Sequence, residues 1–177
     1  MKNLYVSGYR SFELSIFQEN DPKISRIKKV LRNRLISFLD EGLEWVIISG
    51  NLGVEQWTAQ VVEDLKKDYP ELKLGIIYPF LEFGSQWKEA NQEKKSQVES
   101  FADFIDAVSH KPYESYLQLK NHTTFILQHT NGALLVYDNE YPGKTKYFYE
   151  DVLKFQEKNE YFLSTITFDD LQNYEEW

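Results

Sequence analysis

The sequence predicts an α/β fold: a doubly wound, mainly parallel sheet with helices on both faces. Three observations carry this. Apolar runs of strand length alternate with stretches of helical periodicity along the chain. The runs are nearly continuous in apolar residues, as strands buried on both faces are. Glycine or proline follows each of the first three runs, where a β-α turn needs a sharp change of direction.

The first strand is Leu4-Tyr5-Val6-Ser7, stopped by Gly8. Asp21-Pro22 supplies an N-cap and a proline at the first helical position. Ile24, Ile27, Val30, Leu31, Leu35, Phe38 and Leu39 then draw one apolar helix face, and Gly42 stands where a C-cap glycine belongs. Trp45 to Ile48 is the second strand, and Val54, Trp57, Val61, Val62 and Leu65 form the stripe of the next helix. Leu72 to Tyr78 is the third strand, ended by Pro79. Trp87 to Ala102 reads as a polar helix with a narrow apolar face, and Phe104 to Ser109 as a short fourth strand. A helix over Ser115 to Gln128, a strand over Ala133 to Tyr137 and a helix over Lys144 to Lys158 follow. Phe162 to Thr167 is the sixth strand, followed by a short acidic tail. With no internal repeat, low-complexity segment or linker, residues 1–177 are expected to form a single domain.

The composition narrows the function classes. Apolar residues make up 42%, which argues against disorder. There is no cysteine, so disulfides, thiolate catalysis and cysteine-ligated metal sites are excluded. The amino terminus runs straight into a strand pattern without an apolar leader, and no stretch is apolar for the length of a membrane span. A cytoplasmic protein is expected. The net charge of −8 makes nucleic acid a poor partner, because phosphate neutralisation dominates such binding. Abundant aromatic residues leave a homodimer open.

Parallel sheets bind ligands beyond the carboxyl ends of their strands. Gly8-Tyr9-Arg10, Ser49 to Gly53, Pro79-Phe80, Ser109-His110 and Asp138 all follow strands and should gather on that rim. The most informative stretch is Ile47 to Trp57: a β-branched run, Ser49-Gly50, then Gly53 opening a helix. Such a turn can bring backbone N–H groups and a helix dipole to an anion, or it can simply close a tight β-α connection. The dinucleotide fingerprint GxGxxG and the GKS or GKT phosphate loop are both absent, against a conventional NAD enzyme or NTPase. Glu55, in the first helical turn, suits the helix dipole, a ribose hydroxyl or a general base. Arg10 suits a phosphate clamp, with Glu13 to orient it. Tyr9, Trp57, Phe80 and Trp87 could stack on a base or serve the core. His110 is a candidate base, or a loop histidine. No His/Asp/Glu set has metal-ligand spacing, so no metal is expected, and no GxSxG elbow exists. Lys23, Arg26, Lys28, Lys29, Arg32 and Arg34 give the first helix a basic, solvated face that could also dock an acidic partner.

Gly8-Tyr9-Arg10-x-x-Glu13-Leu14, Glu44-Trp45, Ser49-Gly50-x-Leu52-Gly53-Val54-Glu55-x-Trp57, Pro79-Phe80 and His110 to Ser115 together resemble the YpsA family of Gram-positive bacteria. The likeness covers essentially the whole chain. It implies a Rossmann-like fold in the SLOG superfamily, alongside the LOG phosphoribohydrolases and the DNA-processing protein DprA. It further implies a nucleotide-derived ligand such as ADP-ribose and a link to cell division. The matching ligand positions are Gly8, Arg10, Ser49, Gly50, Gly53 and Glu55. The LOG motif PGGxGTxxE is met only by Pro142-Gly143-Lys144-Thr145, one glycine short, which argues against LOG-type hydrolysis. Three functions follow as expectations. The first is a nucleotide-ligand sensor acting through a cell-division protein partner. The second is an enzyme cleaving an N-glycosidic or phosphoribosyl bond with Glu55 as catalytic base. The third is a ligand-free scaffold using the basic helix.

Overall fold

The computed structural model describes residues 1–174. Strands and helices alternate: β1 (Asn3–Gly8), α1 (Pro22–Leu39), β2 (Trp45–Ile48), α2 (Val54–Leu65), β3 (Lys73–Tyr78), α3 (Glu89–Phe101), β4 (Phe104–Ala107), α4 (Leu117–His129), β5 (Gly132–Val136), α5 (Thr145–Gln156), β6 (Phe162–Ile166) and α6 (Phe168–Gln172). The strands make one sheet in the order β4-β3-β2-β1-β5-β6, every pair parallel. The chain steps outward from β1 to β4, then crosses back beyond β1 to lay down β5 and β6. That reversal makes the carboxyl ends of β1 and β5 the switch point of a Rossmann-like α/β fold. Right-handed crossovers put α1 to α3 on one face and α4 with α5 on the other. The packing of α2 against α1 and α3, and of α4 against α5, agrees.

Each element forms for local reasons, and packing then selects its face. Asp21 accepts a hydrogen bond from the Lys23 N–H and Pro22 opens α1, which buries Ile24, Ile27, Val30, Leu31, Leu35 and Phe38. The helix is capped at Asp40, and Gly42 takes its positive φ of 104° just beyond. All of β5 is buried, whereas β2 buries Val46 and Ile48 and leaves Trp45 and Ile47 half-covered. β5, at the centre of the sheet, is thus sealed on both faces, and β2 on one.

Two pieces differ from the periodicity. A 3-10 turn, Ser11–Leu14, follows β1, too short to leave a periodic signature. Part of the expected acidic tail is α6, whose cap is Thr167 accepting from the Asp170 N–H while Asp170 accepts from the Thr167 N–H. Arg26 and Arg34 of α1 hold this segment through Leu171 O and the Asp170 carboxylate. The last three residues of that tail, 175–177, lie outside the described residues. Among the described residues, no helix is long and apolar enough to cross a membrane.

Candidate functional site

A cleft of about 700 Å³ opens beyond the carboxyl ends of the strands, on the side of α1 to α3. Its wall begins at Arg10 and the 3-10 turn, continues through Asn51, Leu52 and Gly53, and runs along α2 through Gln56, Trp57 and Gln60. Phe83 and Trp87 face these from the loop before α3. Lys28 of α1, Lys94 of α3 and Lys144 before α5 give the border a net positive charge, with Glu19, beside Lys28, the carboxylate among the lining residues. Burial lowers the Lys28 ammonium pKa from its ordinary 10.5. A ring of cations and indole rings around a concave space suits an anionic ligand with a flat part.

The loop that carries the signature stretch is held from beneath by Glu55. This carboxylate is 1% exposed and accepts four hydrogen bonds. They come from Ser7 Oγ at 2.9 Å, Ser49 N at 2.6 Å, Asn51 N at 3.4 Å and Asn51 Nδ2 at 2.8 Å. One side chain therefore ties the end of β1 to both ends of the β2–α2 turn. A buried carboxylate requires such partners, and charge-assisted bonds of this kind are the strong ones. Its place in the first turn of α2 also answers the helix dipole.

The glycines allow this turn to lie close to its neighbours. Gly53 has φ 95°, and a Cβ there would stand 2.6 Å from Tyr9 O and 2.7 Å from Ser11 N. Only a glycine lets the start of α2 meet the loop after β1, a contact closed by Val54 N donating to Tyr9 O. At Gly50 a Cβ would collide with the Tyr78 ring. Gly8 is hemmed in the same way by Val136 and Val54. Glycine at these positions thus serves backbone packing beside the cleft.

A second buried chain of polar groups lies behind the turn. Tyr5 OH and Ser49 Oγ are 2.6 Å apart, and Ser49 Oγ is 3.1 Å from His122 Nε2. The same Nε2 is 2.7 Å from Ile77 O, a group that can only accept, so this nitrogen carries the proton. It cannot then take a proton from Ser49, and the pair is not an activated nucleophile. Burial lowers the His122 pKa below its ordinary 6.5 and raises that of Tyr5, so both groups are neutral near pH 7.

The remaining expected residues fall into three places. Glu13 bridges two backbone groups, accepting from Arg10 N at 2.7 Å and Lys144 N at 2.8 Å, and so ties the turn after β1 to the start of α5. Arg10 reaches Gly8 O through Nη1 and lines the cleft. Tyr9 is buried, stacked on Phe168, and its hydroxyl donates to Tyr141 O and accepts from Asp138 N. Burial pushes its pKa up to about 12. Trp57 is 7% exposed, so it serves the core and the cleft wall together. Pro79 is buried, and Phe80 packs on Phe83 and Tyr113, supporting the wall without lining it. His110 does not line the cleft; its side chain is 73% exposed and 3.4 Å from Asp106. The α1 cations are largely engaged within the fold: Arg26 with Leu171 O, Arg32 with Asp64, Arg34 with Ser164 and Asp170.

Sequence reasoning missed Tyr5, His122, Gln56 and Phe83. Gln56 sits between two residues that were singled out, yet a glutamine inside a helix gives no signal of its own. It is 4% exposed, and its Nε2 has no hydrogen-bond partner. Among the described residues only Thr145 Oγ1, at the start of α5, shares that condition.

The model of the YspA SLOG family, YpsA, matches residues 4–171, which contain every part of this arrangement. The chain belongs to the YpsA family. Its relatives include a UPF0398 protein of Enterococcus faecalis, 57% identical over 173 residues, covering 98% of this chain and 96% of the relative. A UPF0398 protein of Ligilactobacillus salivarius is 48% identical, covering 98% and 95%. One from Staphylococcus haemolyticus is 44% identical, covering 98% and 93%. The YpsA-type chain is thus matched over nearly its whole length, and its Rossmann-like sheet is the SLOG-type fold.

Proposed function

We propose that this YpsA-family protein binds a nucleotide-derived ligand of the ADP-ribose type in the cleft beside α2, and that it is a regulatory protein acting through a partner in cell division. The observation that supports binding is the cleft itself: Arg10, Lys28, Lys94 and Lys144 around a space walled by Trp57, Phe83 and Trp87. The guanidinium and ammonium groups suit phosphate oxygens, and the rings suit a base. In this reading Glu55 and the glycines shape the turn, and the ligand meets Arg10, Asn51 and the α2 face. The division role rests on the family resemblance alone.

Calorimetry and thermal unfolding with ADP-ribose, NAD, AMP and cyclic nucleotides test the binding. A ligand at one hundred times its Kd stabilises by about 2.7 kcal/mol, which is about 5–10 °C for a chain of this size. Absence of any shift across the panel rejects the reading. The enzyme alternative is weaker, because Glu55 gives both carboxylate oxygens to internal donors. Release of free base from any of these nucleotides would restore it.

A further inference from the structure

The geometry points to Gln56 as the residue that sets specificity in this cleft, its carboxamide reading the uncharged part of a phosphate-bearing ligand. The inference rests on the proposed binding function and goes further by dividing the site. Gln56 lines the cleft one turn before Gln60 on the same helix, so the two amides lie on one face. The Nε2 group of Gln56 makes no hydrogen bond and is covered by its neighbours, so a ligand in the cleft that Gln56 lines meets it once the carboxamide turns outward about its soft terminal torsion. A buried amide without an acceptor is costly, and such an exception in a folded protein calls for a partner.

The partner's chemistry follows from where the charges lie. The start of α2 is already answered by the carboxylate of Glu55, which disfavours a second anion there. The cations belong to other elements: Arg10 to the loop after β1, Lys28 to α1, Lys94 to α3 and Lys144 to the loop before α5. Phosphate is drawn to that border. The α2 face is left with neutral amides, which match a ribose hydroxyl or the edge of a base. Both offer an acceptor for Nε2 and a donor for Oε1.

Gln56→Met keeps the length of the side chain and removes the amide, and Gln56→Leu repeats the test with a shorter one. Binding of ADP-ribose, ribose 5-phosphate and inorganic phosphate is measured by calorimetry, and unfolding of the unliganded proteins by heat. The expected result is a loss of ADP-ribose affinity of about 10-fold to 100-fold with phosphate binding unchanged. The unliganded Gln56→Met protein should melt no lower than wild type, because an orphaned amide has been removed. Loss for both sugar-bearing probes assigns the amide to a ribose hydroxyl, and loss for ADP-ribose alone assigns it to the base. Wild-type affinity for ADP-ribose in both variants overturns the inference and leaves the binding function standing. If both variants melt well below wild type, Gln56 is a packing residue and the inference falls. If wild type binds neither these probes nor NAD, AMP or the cyclic nucleotides, the binding function falls and takes the inference with it.

Discussion

At the scale of single residues, Glu55 and Gly53 do different work within the same turn, and their substitutions should separate. Glu55→Gln replaces an acceptor-only carboxylate with an amide whose NH₂ must stand either where Oε1 faces Ser49 N and Asn51 N or where Oε2 faces Ser7 Oγ and Asn51 Nδ2. At least one donor must lose its partner. The expected cost is about 2–4 kcal/mol of stability, read from the urea midpoint. A variant as stable as wild type would show that the buried carboxylate is not the tie inferred here. Gly53→Ala adds a Cβ against backbone atoms of Tyr9 and Ser11 at a positive φ. It should lose about 2 kcal/mol or more. Gly42→Ala has a similar φ of 104° but open space around the Cβ, so only backbone strain remains and the loss should be about 1 kcal/mol. Equal effects at the two positions would contradict the packing argument.

At the scale of elements, α4 is joined to the β2 and β3 ends by His122, through Ile77 O and Ser49 Oγ. Its titration makes the joint pH-dependent. Burial lowers the folded-state pKa of His122 below the ordinary 6.5. The unfolded chain therefore takes up a proton first as pH falls, and binds more protons than the folded protein in that window. Stability is unaffected above the ordinary value and declines below it, by at most about 1.4 kcal/mol per pH unit for one proton. Urea midpoints between pH 7.5 and 5 should fall in wild type and fall less steeply in His122→Gln. Parallel slopes would place the titration elsewhere. This joint also marks the limit of what the chain reveals by itself. Trp45–Ile48 and Val54–Leu65 have the bounds their apolar patterns predict, because periodicity is a local property. The bond of His122 to Ser49 spans 73 positions, and that of Ser7 to Glu55 spans 48. No local pattern encodes such contacts, so Glu55 was legible as a special residue while its burial was not. His110 was legible only as a residue after a strand, and no residue of the edge strand β4 or of the loop after it lines the cleft. Arg10 and Gly53 were legible as rim residues because the rule for parallel sheets predicts which strand ends converge, and Trp57 because it falls on the apolar stripe of α2.

At the scale of the whole molecule, an acidic protein presents a basic cleft. The net charge is −8, yet Arg10, Lys28, Lys94 and Lys144 surround the proposed ligand site. The two fields act over different distances. In about 0.01 M salt the screening length is about 30 Å, so the overall negative charge reaches an approaching anion. In about 0.15 M salt it is about 8 Å, and mainly the nearest charges are felt. For a phosphate-bearing ligand, salt therefore removes a repulsion and weakens an attraction at once, and wild-type affinity should change little or fall modestly between these conditions. Removing two of the near cations with Lys94→Gln and Lys144→Gln leaves the distant repulsion dominant. The double variant should bind ADP-ribose more weakly than wild type at low salt and recover part of the difference as salt is added. Calorimetry at both salt concentrations measures this. A double variant whose affinity falls with salt as wild type's does would mean that these lysines do not face the ligand, and that its phosphates lie elsewhere on the rim.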